Sequence, residues 1–586
     1  NAWQLDMTLS SASPSHLMTS AHGALPPATP VNAKHLIALC ALCLAMLLPF
    51  LAKPVHNDDP VFIWPARQIT RHPLDFYGGL INWEWREQPM SEVLQNPPLF
   101  SYDLAGMSAI VGWSEIALHA AALPFGLLTV VGTYLLATQF TRRPALAALL
   151  LLCCPAFLVS ATTLMCDVPL LCFWVWSVLF WVWGTRRSAM WLPLAGLSTA
   201  AAGLTKYPGI NLLPLLIAGA ALWPANRRTR LIQIASLLIP IAAWAGYEWF
   251  TRIHYGNGLL LGAASHVKVT QSGITIPPLL GILDSLAFIG GGVFAVAVLA
   301  VLLAPPRLRG FALPPLVILL GVVASRCVAP PPAWSGAQPI GPAWVFFLQY
   351  GLLAAAGVAI FCLCGSFMSQ RLRRTGWRDD VFLLLWIGGV AVFATFLNWA
   401  INARTILPLV PAACILGARA VDRFGAPSAR WLAIALAPAA ALAICVAVAD
   451  YRMASICRDV VDRLLSVPAV AEAYSQGRLW FAGHSGFQYY MDRRGVRAVD
   501  AEHPQFKPGD LVIFPLNSYG ATPGGQGFHF VGLYQDPTER WLATMHAPMG
   551  GGFYTSFGQA LPFVFGPVPP ESYSILQVTP GTRLYH

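Results

Sequence analysis

Two adjacent carboxylates, Asp58 and Asp59, stand in the run His56-Asn57-Asp58-Asp59-Pro60, directly after the first apolar helix. A carboxylate tethered at a helix end can act as a general base toward a hydroxyl or an amine. Two neighbouring carboxylates can instead share a divalent cation such as Mg or Mn. The plain alternative is a pair of solvated loop charges. Asp167 is the only acid in a very apolar stretch, within Met165-Cys166-Asp167-Val168-Pro169. It suits an N-cap for a helix beginning at Val168-Pro169. It also suits a functional acid, since ionisable residues beside apolar spans are usually kept for a task. Two cations match these acids. Arg404 opens a late apolar run in Asn402-Ala403-Arg404-Thr405, and Lys206 ends an earlier one, followed by Tyr207-Pro208. A guanidinium fork grips phosphate oxygens, while a lysine at a span end either snorkels or touches phosphate. His254, His266 and Lys268, in or beside one later loop, are further candidates for substrate contacts.

Long apolar runs must hold these residues. The chain has 586 residues, 56% hydrophobic and only 11% charged, against roughly 25% charged in a soluble domain. Mean hydropathy is +0.59. Such a chain is a polytopic membrane protein. Its net charge of +10 needs no nucleic acid, because the excess sits in short loops where it sets orientation. Most of the 12 cysteines lie inside apolar segments and read as packing residues, Cys40 and Cys43 included. Residues 1–33, rich in Ser, Ala and Pro, read as a mobile cytoplasmic tail. The transmembrane region is expected over 34–449, with a long first outer loop at 53–117.

Sidedness follows from the arginines. If the weak apolar helix at 97–112 lies along the membrane surface, six Arg groups all fall on the cytoplasmic side. These are Arg142-Arg143, Arg186-Arg187, Arg227-Arg228-Arg230, Arg307-Arg309, Arg371 to Arg378, and Arg423-Arg430. Counting that helix as a span would put all six outside, against the positive-inside rule. Thirteen spans result, with the N-terminus inside and the C-terminal part outside. Asp58, Asp59, Asp167, Lys206, His254, Lys268 and Arg404 then gather at the outer interface. Trp64, Trp83 and Trp85 read as interface anchors. From about Asp450 the composition shifts. An amphipathic helix at 451–472 and strand-like runs at 478–482, 510–515 and 528–533 suggest one small α/β domain over 450–586. The fold class is thus an all-α polytopic membrane protein with a small extracytoplasmic α/β domain.

These residues resemble the GT-C membrane glycosyltransferases, in particular the protein mannosyltransferase and aminoarabinose transferase branch (glycosyltransferase family 39-like). The marks run from the first span to about Arg423. They are the acidic pair after helix one, an amphipathic helix opening with Pro97-Pro98, Asp167-Val168-Pro169, Lys206-Tyr207, and Arg404 with Pro408 four residues on. Gly483-His484-Ser485-Gly486-Phe487-Gln488-Tyr489-Tyr490 is similar to a run in the tails of bacterial relatives. The resemblance implies a bacterial inner-membrane enzyme with a GT-C architecture and a periplasmic C-terminal domain. It would use a polyprenyl-phosphate-linked sugar as donor, and its acceptor (protein, lipid or polysaccharide) is left open.

The resemblance further implies that Asp58 is the catalytic base, while Asp59, in place of the usual Glu, helps bind acceptor or metal. Asp167 would order the site and Arg404 would hold the donor phosphate, with Lys206 and Tyr207 beside it. Relatives often carry Lys or His where this chain has Asn96, so Lys206 would supply the missing cation. Metal dependence, through Asp58, Asp59 and Asp167, stays open. Two rival readings follow from the same residues. One is a non-catalytic membrane subunit within a larger assembly. The other is a carrier for lipid-linked sugar, which predicts charges and broken helices at mid-membrane.

Overall fold

The structure, a computed structural model, describes residues 29–585 apart from 84, 95, 264, 266–276, 307–309, 311, 370–375, 426–427, 518–523 and 556–559. His266, Lys268, most of the expected N-terminal tail and several of the expected arginines lie outside the described residues. Seven described helices are long and apolar enough to cross a membrane: Ala33–Phe50, Glu115–Ala137, Asp167–Arg186, Arg227–Tyr255, Ala343–Met368, Trp377–Leu397 and Ala429–Leu465. Pro278–Gly292 and Phe294–Leu303 meet at 89° and make an eighth if taken as one broken span.

Several expected spans are shorter or interrupted, and proline is often at the break. The run at 144–161 divides at Cys153-Cys154 into Pro144–Leu152 and Pro155–Ser160. The run at 404–420 becomes helical only at Leu407-Pro408-Leu409 and reaches α geometry at Val410. Proline has no N–H to give and disfavours helix in the residue before it. The helix Leu99–Val111, expected along the surface, is among the short apolar ones. It ends at Gly112, whose φ of 86° is one that glycine adopts without strain.

One helix measures the charge layers. Asp167 begins Asp167–Arg186 and Arg186 ends it. Nineteen steps at the α-helical rise span about 29 Å, close to the roughly 30 Å of a bilayer's hydrocarbon core. At the Arg186 end four of the arginines pair with acids of the protein. Arg186 pairs with Asp379, Arg419 and Arg423 with Asp380, and Arg143 with Asp422. Asp379 and Asp380 also sit in the first turn of Trp377–Val392, where the helix dipole favours acids. The other end carries Asp167 and the candidate residues.

The last long helix, Ala429–Leu465, runs straight through Asp450, so the change in composition there falls inside one helix. Beyond it a mixed five-stranded sheet forms. Its strands stand in the order Arg497–Ala498, Leu479–Phe481, Leu511–Pro515, Ser572–Tyr585, Gly524–Gln535. The first two pairings are parallel and the others antiparallel. This lobe packs onto the loop that carries Asp58. A Cβ at Gly486 would lie 2.4 Å from the Val55 carbonyl oxygen and 2.8 Å from His56 Cα, so only glycine allows that approach.

Within the lobe His546 is fully buried. Burial lowers its pKa from 6.5 to about 4, with Glu571 pulling upward and Arg540 downward. The folded pKa is thus below the unfolded one, and the unfolded chain binds the extra proton between pH 6.5 and 4. Stability contributed by the neutral ring is present above pH 6.5 and lost as pH falls toward 4, up to about 3 kcal/mol. Thermal unfolding of the lobe should shift down across that window. In His546→Gln the shift should be smaller.

Candidate active site

Three separate loops deliver the key side chains to the Asp167 end of the bundle. The first is a tight turn after helix Ala33–Leu47, in which the Asp59 amide donates to the His56 carbonyl at 3.0 Å. Asn57 adopts φ 44°, a left-handed conformation that Asn tolerates better than most residues. Pro60 then starts the next helix in the first-turn position that suits proline. The second loop leads into Asp167. The third presents Arg404 on an Asx-type turn, where the Asn402 side-chain oxygen accepts from the Arg404 and Thr405 amides at 3.1 and 2.9 Å.

Arg404 sits at the centre. Its Nη1 donates to Asp58 Oδ2 at 2.8 Å and lies 3.9 Å from Asp167 Oδ2. Its Nη2 donates to the Tyr554 carbonyl at 2.9 Å, and its guanidinium lies 5.7 Å from the Tyr554 ring centroid. Lys206 Nζ donates to Asp167 Oδ1 at 2.6 Å. The four charges therefore form a chain, Asp58 to Arg404 to Asp167 to Lys206. Burial works against the Arg404 charge, but Asp58 and Asp167 outweigh it and raise its pKa further above the ordinary arginine value. Asp58 is the outermost member, 36% exposed, whereas Asp167 is 3% exposed. Among the described residues, Arg404 Nε and Asp167 Oδ2 are buried with no hydrogen-bond partner. The open Arg404 Nε is a donor that an anionic ligand can take, whereas Asp167 Oδ2 is an acceptor.

Several expectations change at this level. Asp167 is not an N-cap: Cys166 holds that position, and Asp167 is the first helical residue with its side chain on Lys206. Asp59, expected to bind acceptor or metal, turns inward and is fully buried. Its Oδ2 accepts from the His56 amide at 3.0 Å and faces His56 Nδ1 at 3.1 Å, while Oδ1 accepts from the Leu164 amide at 2.9 Å. Both Asp59 oxygens are thus engaged within the protein, whereas Asp58 faces Arg404. Among the described residues no group of three or more His, Cys, Asp or Glu side chains is arranged to hold a metal.

Tyr207 points elsewhere, donating to the Leu259 carbonyl at 2.8 Å. Asn96 uses its carbonyl to accept from the Tyr77 hydroxyl. His254 is exposed and stacks on Phe250. Trp85, expected as a membrane anchor, is buried in a cluster with Trp480, Val499 and Phe514. Trp83 and Trp85 both pack on the His484 ring, with centroids 5.1 Å away. Burial lowers the His484 pKa to about 4 against the upward pull of Asp58, so a neutral imidazole stands near the acid.

Other residues at the site went unremarked in the sequence. Lys53, His56, Asp450 and Tyr554 form a fully buried cluster behind Asp58. The one signal available was placement: Lys53 and Asp450 each fall at the edge of a long apolar run. Asp103 also escaped notice. It lines a cleft of about 300 Å³ walled by Phe100, Phe125, Pro169 and Phe173 with Thr205 at its edge. Burial raises the Asp103 carboxyl to about 6. The cleft thus abuts Pro169, two residues beyond Asp167, and Thr205, which precedes Lys206.

Fold and site together define a polytopic helical membrane protein with two acids and two cations interlocked at one end of its bundle. The chain resembles GT-C superfamily glycosyltransferases. The family described as dolichyl-phosphate-mannose-protein mannosyltransferase matches residues 95–246, a segment that holds Asp167 and Lys206 but not Asp58 or Arg404. Among solved structures, the archaeal oligosaccharyltransferase AglB from Archaeoglobus fulgidus, in complex with an inhibitory peptide and a dolichol-phosphate, is similar over 82% of this chain and 69% of that one, at 12% identity and a TM-score of 0.48. ArnT from Cupriavidus metallidurans bound to undecaprenyl phosphate covers 83% of this chain and 94% of its own, at 15% identity and a TM-score of 0.40. The arabinofuranosyltransferase AftD from Mycobacteria covers 78% of this chain and 30% of its own, at 14% identity and a TM-score of 0.42. No curated protein matches the chain.

Proposed function

We propose that this chain is an integral-membrane glycosyltransferase that moves a sugar from a polyprenyl-phosphate donor to an acceptor at the extracytoplasmic face of a bacterial inner membrane. The observation that carries this reading is the meeting of Asp58 and Asp167 at Arg404, with Lys206 on Asp167. The partial match to the mannosyltransferase family supports it, and so does the arginine pattern of the loops, which would put this end of a thirteen-span bundle outside.

In this mechanism the donor phosphate takes Arg404 and Lys206 as its cations, and Asp58 is freed from Arg404. The isoprenoid chain lies in the apolar cleft beside Pro169 and Thr205. Asp58, the partly exposed acid, removes the proton from the acceptor. The acceptor attacks the anomeric carbon in line, the bond to the lipid phosphate breaks, and the anomeric centre inverts. Arg404 stabilises the charge that grows on the leaving phosphate. Asp59, Lys53 and Asp450 hold the loops in place. The mechanism routes no step through a metal.

The scaffold reading predicts no shared site for Asp58, Asp167 and Arg404, and their contact weighs against it. The test is transfer in nanodiscs. Purified protein is given radiolabelled polyprenyl-phosphate sugars with hydroxyl- and amine-bearing acceptors. The expected result is labelled product from at least one pairing. Release or trans-bilayer movement of intact donor, without transfer, would favour the carrier reading instead.

A further inference from the structure

The cluster behind Asp58 has a charge pattern that decides the state of one residue. His56, Asp59, Lys53 and Asp450 are all fully buried. His56 Nδ1 faces Asp59 Oδ2 at 3.1 Å and Nε2 faces Asp450 Oδ2 at 3.1 Å. A neutral imidazole has one N–H and one lone pair. Either neutral tautomer would therefore aim a lone pair at a carboxylate oxygen in a fully buried site; the Tyr554 hydroxyl, 3.3 Å from Nε2, lies closer to Asp450 Oδ2 at 2.7 Å and donates there.

The carboxylates are already supplied with donors. Asp450 Oδ2 accepts from Lys53 Nζ at 2.6 Å and from the Tyr554 hydroxyl at 2.7 Å, and its Oδ1 accepts from Thr544 at 2.8 Å. Asp59 accepts from the backbone amides of His56 and Leu164. Lys53 also reaches Thr162 Oγ1 at 3.1 Å. The proton that completes the pattern belongs on the ring. With it, two cations face two anions and the buried cluster is neutral. The other imidazole near it, His119, turns Nδ1 to the Glu115 carbonyl instead.

We propose that His56 is held as an imidazolium and is the positioning residue that fixes Asp58 against Arg404 and Asp167. The second half of this inference rests on the transferase reading above. Burial and Lys53 act against the protonated ring, but Asp450 and Asp59 outweigh them, so the His56 pKa stands above its ordinary value.

The mechanical consequence follows from the contacts. Through Asp59 the ring holds the turn that carries Asp58. The same carboxylate holds the Leu164 amide, three residues before Asp167. Through Asp450 the ring reaches Tyr554, whose carbonyl holds Arg404. One ring thus sits behind the supports of all three site residues. Ion pairs within this cluster join the first outer turn to the last long helix, a separation of 394 residues for His56 and Asp450.

Two measurements test the inference. The first uses protein labelled with ¹⁵N-histidine in nanodiscs, where solid-state NMR reads the ring nitrogens and the His56 signals are found by their loss in His56→Gln. Two protonated nitrogens at neutral pH are expected, and a neutral tautomer overturns the proposal. The second is kinetic. His56→Gln leaves Lys53 alone facing two carboxylates, and His56→Gln with Asp59→Asn restores the balance. The thermal midpoint should fall in the single variant and recover in the double one. In both, kcat should drop about 10- to 100-fold, as for a displacement of roughly 1 Å at a reacting group, with KM for the donor within about twofold of the wild-type value, since Arg404 and Lys206 remain. Unchanged kcat in the double variant overturns the positioning role. Failure of the wild-type protein to transfer any sugar sinks the transferase reading, while the NMR result still decides the state of His56.

Discussion

Asp58→Asn should lower sugar transfer by about 10²- to 10⁴-fold, the span attributed to general-base catalysis, while the protein still folds and binds donor. Asn keeps the size of the side chain and an oxygen that can accept from Arg404 Nη1, now 2.8 Å from Asp58 Oδ2. What it loses is the basic lone pair of a carboxylate. Arg404 keeps Asp167 at 3.9 Å and the Tyr554 carbonyl at 2.9 Å, so neutralising Asp58 does not leave the guanidinium without a partner. The contrast is Asp59→Asn. That substitution removes a fully buried charge from the His56 cluster, and its main effect should be on the thermal midpoint. Transfer is read by single-turnover assays at saturating donor, and folding by thermal unfolding in the same detergent. Undiminished turnover in Asp58→Asn would remove Asp58 as the base.

The second large effect concerns Arg404→Gln. A neutral side chain there leaves Asp58 without its partner and Asp167 with Lys206 alone. It also removes the cation assigned to the leaving phosphate, and loss of one such preorganised donor costs about 10²- to 10³-fold in rate. Donor affinity should fall as well. Arg404→Lys should recover only part of the loss, because an ammonium cannot reproduce the fork that reaches Asp58 and the Tyr554 carbonyl together. Lys206→Met should be milder, since Lys206 touches Asp167 at the edge of the site. Binding of a fluorescent polyprenyl phosphate, measured beside the rate, separates the two contributions. A wild-type affinity for Arg404→Gln would exclude a phosphate contact.

The route from sequence to site was uneven for physical reasons. Strand runs at 478–482, 510–515 and 528–533 appear as Leu479–Phe481, Leu511–Pro515 and within Gly524–Gln535, because apolar and aromatic runs between turn residues signal strands locally. Asp58, Asp167, Lys206 and Arg404 could be singled out because a charge near lipid is expensive and therefore rare. Asp59 shows the limit. Next to Asp58 in sequence, it looks chemically equivalent, yet the turn at Asn57 sends one carboxylate outward and the other into the core. Trp85 shows it again. Its ring has the composition of an interface anchor, and φ of 56° turns it into a core of the C-terminal lobe.

By itself the sequence determined the medium and the ingredients: apolar length demands a bilayer, arginines mark one end of the helices, and the few remaining charges mark the other. Those are properties of short windows, which hydrophobic burial and charge solvation act upon directly. Only the tertiary structure decided which charges meet. Lys53 finds Asp450 across 397 residues and Arg404 finds Asp58 across 346. Such contacts depend on how helices pack and loops turn, and on the requirement that every buried charge have a partner, which no local pattern encodes.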